Sequence, residues 1–166
     1  MKTDAYILRD AGFADALPIF ELIRENPDEL LARSISDIIQ NIDRFLVGEV
    51  DGVVAGTISW QILPEIGLAK DPTVEIKSLA VRKAFRSQGL GRRLVETAVE
   101  RVSNLRPSQV IALTFRPDFF KSLGFTEIPK EDLMHKLYMG CVNCSKYDSP
   151  FTCPEVAMGL TLNGGQ

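Results

Sequence analysis

The segment 74–102 constrains this chain more than any other. Val74-Glu75-Ile76-Lys77-Ser78-Leu79-Ala80-Val81 predicts a strand, and its partly continuous apolar end predicts central burial. From Leu90 to Val102 the period changes. Leu94, Val95, Ala98, Val99 and Val102 share one helical face, with Arg93, Glu96, Glu100 and Arg101 opposite. Between strand and helix lies Arg86-Ser87-Gln88-Gly89-Leu90-Gly91. Glycines let backbone N–H groups converge on a ligand with no Cβ in the way, and a helix N-terminus adds unpaired donors and positive potential. Such a junction suits a pyrophosphate, and Arg82, Lys83, Arg86, Arg92 and Arg93 add positive charge. It is neither the dinucleotide GxGxxG nor the GxxxxGK[ST] of nucleotide hydrolases. Taken alone, GxG also fits a plain turn before an amphipathic helix with a solvated basic face. The order of strand, R-x-x-G-x-G and helix is what makes it specific.

The flanking sequence predicts one α/β sheet. Ile7-Leu8 begins a short strand, and Leu17, Phe20, Leu22 and Ile23 predict a helix through about Arg24. A second helix is expected over Ser36 to Ile42, with Asp37, Asn41 and Asp43 on its wet side. Arg44 to Val50 and Val53 to Gln61 alternate as two strands about an Asp51-Gly52 hairpin turn. Leu63 to Asp71 is an irregular connection. Val110 to Leu113 reads as a buried strand, Pro117 to Leu123 as a short helix stopped by Gly124, and Phe125 to Ile128 as extended. Val156 to Leu162 is a candidate last strand. The expected organisation is a single domain over 1–166, with a core of about 5–130 and a cysteine-containing segment over 131–166.

Bulk properties remove several classes of function. The 166 residues can bury roughly two thirds of their unfolded surface in one domain. A net charge of -3 argues against sequence-independent nucleic-acid binding, which needs a basic face. No apolar run approaches membrane-spanning length. Met1-Lys2-Thr3-Asp4 lacks the start of a secretory leader, so the expected compartment is the cytoplasm.

With its context, the segment 74–102 resembles motif A of the GNAT superfamily of N-acetyltransferases. The resemblance implies a mixed central sheet, splayed between its two central strands and flanked by helices, that binds acetyl-CoA as cosubstrate. The pantetheine arm would pair with the backbone of Leu79, Ala80 and Val81 beyond a bulge. The pyrophosphate would lie at Arg86, Ser87, Gln88, Gly89, Leu90, Gly91 and Arg92. A backbone N–H at or near Leu79 would polarise the thioester carbonyl.

Acetyl transfer to an amine also needs a base and a proton for the departing thiolate. Glu75 is the candidate base, on a face that strand alternation would share with Lys77 and Leu79. Burial there would raise its pKa and let it accept a proton through water; a strand-edge glutamate paired with Lys77 is the plainer alternative. Many GNAT enzymes place a tyrosine general acid four residues before the glycine of a Y-x-x-x-G-F segment. Phe120-Lys121-Ser122-Leu123-Gly124-Phe125 fits that spacing but has phenylalanine at the tyrosine position. Thr114 is the alternative hydroxyl donor, although β-propensity alone would also explain a threonine there.

Over nearly its whole length the chain resembles the acetyltransferase domain of N-acetylglutamate synthases. The resemblance rests on Leu31-Ala32-Arg33-Ser34, strand 74–81, Leu113-Thr114-Phe115-Arg116 and Phe119 to Phe125. The tail segments His135-Lys136 and Cys141-Val142-Asn143-Cys144 resemble its short members. It implies acetylation of the α-amine of L-glutamate, the opening step of arginine biosynthesis. It makes Arg33 the carboxylate-binding arginine, Glu75 the base and Thr114 the hydroxyl donor, with Lys77 and Arg116 as further cations. Long members carry an Arg-x-Ser pair on the last strand, where this chain has Thr152 and Pro154. Part of the acceptor pocket is therefore unaccounted for, and glutamine or another amino acid stays open as acceptor. Other readings are a GNAT acting on another small amine or a protein N-terminus, and a non-catalytic acyl-CoA sensor. A homodimer is the assembly such folds often adopt. Cys141-x-x-Cys144 with Cys153 and His135 has zinc-ligand chemistry but lacks a second CxxC, so no metal is expected; redox chemistry or packing are the other roles.

Overall fold

The computed structural model describes residues 6–64, 71–133 and 154–162. Strands β1 (Ile7–Asp10), β2 (Phe45–Val50), β3 (Val53–Leu63), β4 (Thr73–Val81), β5 (Val110–Thr114), β6 (Thr126–Glu127) and β7 (Val156–Leu160) alternate with helices α1 (Ala16–Arg24), α2 (Ile35–Gln40), α3 (Leu90–Ser103) and α4 (Pro117–Lys121). The strands are hydrogen-bonded in the order β1-β2-β3-β4-β5-β7-β6. The pairing is mixed, with β4 and β5 parallel and the β1–β2, β2–β3, β5–β7 and β6–β7 pairs antiparallel. The chain forms two compact units, Met1–Trp60 with Ile76–Arg101, and Gln61–Glu75 with Val102–Gln166. No helix among the described residues is long and apolar enough to cross a membrane.

In the first unit, Asp51 and Gly52 both take positive φ (49° and 79°). That is what a two-residue type I′ turn requires, and it sets the β2–β3 register with Val50 opposite Val53. Gly48 then lies opposite Gly56. A Cβ on Gly48 would sit 2.5 Å from Leu90 Cδ1, and one on Gly56 would sit 3.0 Å from both Leu90 Cδ2 and Leu94 Cδ1. The two glycines form a notch that receives the first buried side chains of α3. Helix α1 buries Ala16, Ile19, Leu22 and Ile23, while Leu17 is 52% exposed. The expectation that Leu17 belongs to the apolar face is corrected, because one residue on from Ala16 turns the side chain by more than a quarter of a helical turn. These residues pack with Ile38, Phe45, Val47, Val54 and Ala80.

Helix α2 begins at Ile35 rather than Ser36, because Ser34 caps it: its hydroxyl oxygen accepts the Asp37 N–H at 3.0 Å. It ends at Gln40, and a single 3-10 turn over Ile42–Arg44 leads into β2. The short strand β1 is held by Arg9, which donates to both Asp15 carboxylate oxygens (2.7 and 2.9 Å) and to Glu49 (2.9 Å). Hydrogen bonding from Arg9 holds the Asp15 carboxyl below its ordinary range against the opposing effect of burial.

In the second unit, the start of β4 pairs with β5 at Val74↔Val110 and Glu75↔Ile111. β5 pairs with β7 from Val110↔Leu160 to Thr114↔Val156. Leu63, Ile111, Leu133 and Ala157 form one buried cluster within it. Gly124 (φ 92°) supplies the left-handed turn after α4, as the sequence predicts.

Candidate active site

The loop before α3 is built from backbone conformation. Ser87 (φ 64°) and Gly89 (φ 84°) both lie in the left-handed region. The first bond of the helical ladder runs from the Arg93 N–H to the Gly89 carbonyl at 3.1 Å. The N–H groups of Leu90, Gly91 and Arg92 therefore precede the ladder and lie at the helix N-terminus. Ser87, Gln88, Gly89 and Arg92 are exposed, whereas Leu90 is buried in its glycine notch and anchors the turn. The nearest atom to a Cβ built on Gly89 is the Tyr6 hydroxyl, at 3.8 Å. A helix N-terminus behind an exposed glycine turn suits an anion with several oxygens.

The arginines around the loop divide by role. Arg86 donates through Nε to the Val81 carbonyl (3.1 Å) and through Nη2 to Asn26 Oδ1 (2.8 Å). Arg82 donates to the Val54 carbonyl (2.8 Å) and to Glu25 (3.1 Å). Both guanidiniums shape the loop as well as charging it. Arg92 and Arg93 share Glu96 at the surface, at 3.5 and 3.3 Å.

Ahead of the loop, β4 carries Lys77, Leu79, Ala80 and Val81. Ser78 takes a φ of 56° in mid-strand, a conformation that costs a non-glycine residue strain. This irregularity interrupts the pleat, so the alternation relating Glu75 to Lys77 does not carry unchanged to Leu79. Arg33 reaches this point from the segment before α2. Its Nη1 donates to Ser78 Oγ and Ser59 Oγ, both at 3.1 Å, and its Nε donates to Asp37 Oδ2 at 2.6 Å. Its guanidinium carbon lies 4.9 Å from the centroid of the Phe45 ring. Ser59 in turn donates to the Lys77 carbonyl at 3.2 Å. Arg33 is thus a largely buried cation fixed by neighbours on α2, β2, β3 and β4.

The second unit carries the other candidates. Glu75 is 4% exposed, a carboxylate buried on a central strand as the sequence predicts. Thr114, at the end of β5, is 9% exposed, and its hydroxyl oxygen accepts the Arg116 N–H at 2.8 Å. That bond occupies an oxygen lone pair and leaves the hydroxyl hydrogen available to donate. Arg116 itself is exposed at the start of α4. Phe120 is buried and packs edge-on against Phe119 and Phe125, with centroids 5.2 and 5.3 Å away. This position is filled by core packing.

Sequence reasoning did not find Ser59, Ser78 or Asp37. Asp37 lies four residues from Arg33, a spacing that signals an ion pair if residues 33–37 are read as one turn. The serines carry no such signal. His135, Cys141, Cys144 and Cys153 lie outside the described residues, and no metal-binding group of His, Cys, Asp and Glu occurs among the described ones.

Residues 13–127 match the family described as Acetyltransferase (GNAT) family. An uncharacterized N-acetyltransferase of Chlorobaculum tepidum is 36% identical over 157 residues, covering 93% of this chain and 96% of that protein. An amino-acid acetyltransferase of Aeromonas salmonicida is 30% identical over 136 residues, covering 80% of this chain but only 30% of that protein. Among solved structures, a Mycobacterium tuberculosis protein in complex with CoA superposes with a TM-score of 0.78 at 24% identity, covering 95% of this chain and 99% of that one. N-acetylglutamate synthase from Neisseria gonorrhoeae, complexed with coenzyme A and N-acetyl-glutamate, also gives 0.78, at 22% identity, covering 98% of this chain and 36% of that one. At these identities the two superpositions establish the fold.

Proposed function

The chain belongs to the GNAT acetyltransferase family, and from that premise we propose that it acetylates the α-amine of an amino acid, L-glutamate, with acetyl-CoA as donor. The observation that carries the acceptor reading is the Arg33 clamp: a largely buried guanidinium bonded to Asp37, Ser59 and Ser78 beside the irregular point of β4. A fixed cation suits a substrate that always brings a carboxylate and gives no advantage to a simple amine. The amino-acid acetyltransferases among the relatives support the same choice, although the chain spans under a third of the length of the Aeromonas protein.

In this reading the N–H groups over residues 87–92 hold the pyrophosphate, and the backbone of Leu79 to Val81 orients the pantetheine arm. The Leu79 N–H stabilises the oxyanion as the thioester carbonyl is attacked. Glu75 takes a proton from the incoming ammonium, through water, so that the neutral amine attacks directly. Thr114 donates its hydroxyl hydrogen to the departing thiolate, the role left open by Phe120. Lys77 and Arg116 complement the second carboxylate. A cytoplasmic setting, a role in arginine biosynthesis and a homodimeric assembly belong to this proposal.

The test is release of free thiol from acetyl-CoA across the common amino acids. Glutamate is expected to give the highest kcat/KM. If glutamate and glutamine were both inert while another amine reacted, the synthase reading would be refuted and the family assignment would stand.

A further inference from the structure

Ser78 combines three properties that packing does not explain together. It is a serine with positive φ in mid-strand (56°), it is 8% exposed, and its hydroxyl oxygen accepts from Arg33 Nη1 at 3.1 Å. An arginine only donates, so this contact uses a serine lone pair and leaves the serine hydrogen uncommitted. Among the described residues, nothing accepts that hydrogen. Ser59, the other partner of Nη1, differs, because its hydrogen goes to the Lys77 carbonyl.

The hydrogens of Arg33 can be accounted for in the same way. Nε carries one, which Asp37 takes, and Nη1 carries two, which Ser59 and Ser78 take. The two on Nη2 have no acceptor among the described residues. The Phe45 ring packs on the guanidinium, and Asp37 holds its Nε. What remains is a donor-rich edge: Nη2 of Arg33 and the hydroxyl hydrogen of Ser78, whose oxygen is bonded to the adjacent nitrogen and keeps one further lone pair.

We propose that Ser78 is a specificity-determining residue, whose hydroxyl and the Nη2 group of Arg33 together bind one carboxylate of the amino-acid acceptor. A planar anion with two oxygens offers one acceptor to Nη2 and one to the Ser78 O–H, whereas an amide has a single oxygen, so it forfeits one of these two bonds and the charge that offsets the guanidinium. The backbone strain at residue 78 is consistent with this role. It holds the hydroxyl on the Arg33 side of the strand, whereas regular pleating would set its direction by alternation alone. The inference rests on the amino-acid reading of the preceding subsection.

The experiment compares Ser78→Gly and Ser78→Ala with the parent on three acceptors: glutamate, glutamine and the α-amide of glutamate. Glycine favours positive φ, so the first variant removes the hydroxyl while relieving strain, and the second removes it without that relief. Both are expected to lower kcat/KM for glutamate about ten-fold or more, through KM, with KM for acetyl-CoA unchanged. One of the two amides, already slow with the parent, is expected to be slowed no further, which identifies the carboxylate that is read. The proposal is overturned if KM for glutamate stays within about two-fold of the parent in both variants. It is equally overturned if all three acceptors slow by the same factor, which would be a purely structural effect. If the parent acetylates no amino acid at all, the amino-acid reading fails first and this inference falls with it.

Discussion

Filling the notch beneath the loop before α3 should damage stability and, on the proposed function, donor binding together. In Gly48→Ala the new methyl carbon would lie 2.5 Å from Leu90 Cδ1 and 3.3 Å from Cδ2. Ordinary carbon contacts lie at about 3.5–4.0 Å, so the leucine must retreat by about 1 Å. Leu90 is only 1% exposed, leaving little room for that movement. Overpacking of this kind costs about 1–3 kcal/mol, against which Gly→Ala in a strand regains about 0.5–1 kcal/mol. The net loss should lower Tm by several degrees, at about 2–4 °C per kcal/mol for a chain of this size. Because Leu90 begins α3, its displacement should also move the first-turn N–H groups and weaken CoA binding. Thermal melts followed by circular dichroism, with calorimetric titration of CoA, measure both effects. Leu90→Ala alone should cost about 2–5 kcal/mol, yet adding Gly48→Ala to it should be neutral or stabilising, because the clashing atoms are gone. Strictly additive effects, or a single Gly48→Ala with unchanged Tm and CoA affinity, would refute this account of the notch.

The other predictions concern the proposed chemistry and the ion pairs. Glu75→Gln should lower kcat by about 10²–10⁴-fold with CoA affinity intact; unchanged turnover in steady-state assays would remove Glu75 as base. Thr114→Val should lower kcat while Thr114→Ser retains it, and it should also cost about 1 kcal/mol by depriving the Arg116 N–H of its acceptor. Equal activity of the two variants would exclude the hydroxyl as proton donor. The Asp15 carboxyl is held below its ordinary value, chiefly by Arg9. Its contribution to stability is therefore complete above the unfolded-state pKa of about 3.9 and lost as pH falls through the lower folded-state value. Melts of the parent and Asp15→Asn should differ at neutral pH and converge in strong acid; a gap independent of pH would contradict the ion pair.

The parts of this molecule that were legible in the sequence are those made by neighbours along the chain. The β4–loop–α3 unit, the Asp51-Gly52 turn and the Gly124 cap all follow from residue type within a few positions. Burial of Glu75 follows from its place on a central strand, whereas Thr114 is buried one residue beyond the strand the sequence predicts. The α2 boundary shifted because Ser34 serves as cap rather than Ser36 beginning the helix. Leu17 was misassigned because an apolar residue beside a helical stripe has the same composition as one within it. The Arg33 clamp was legible only as an arginine in a familiar segment. Ser59 and Ser78 meet it across 26 and 45 positions, and nothing in a serine's identity announces either contact. The left-handed conformation of Ser78 is equally silent, since glycine is the residue that would have signalled it.

The central claim is that this chain moves an acetyl group from CoA to the α-amine of glutamate. Incubation of the purified chain with acetyl-CoA and glutamate, with the product identified by mass spectrometry and free thiol counted in parallel, tests it most directly. The account predicts N-acetylglutamate and CoA in equal amounts, with both formed more slowly by the same factor when Glu75 becomes glutamine. Thiol release without an N-acetylated amino acid, or CoA binding with no transfer to any amino acid offered, would contradict it.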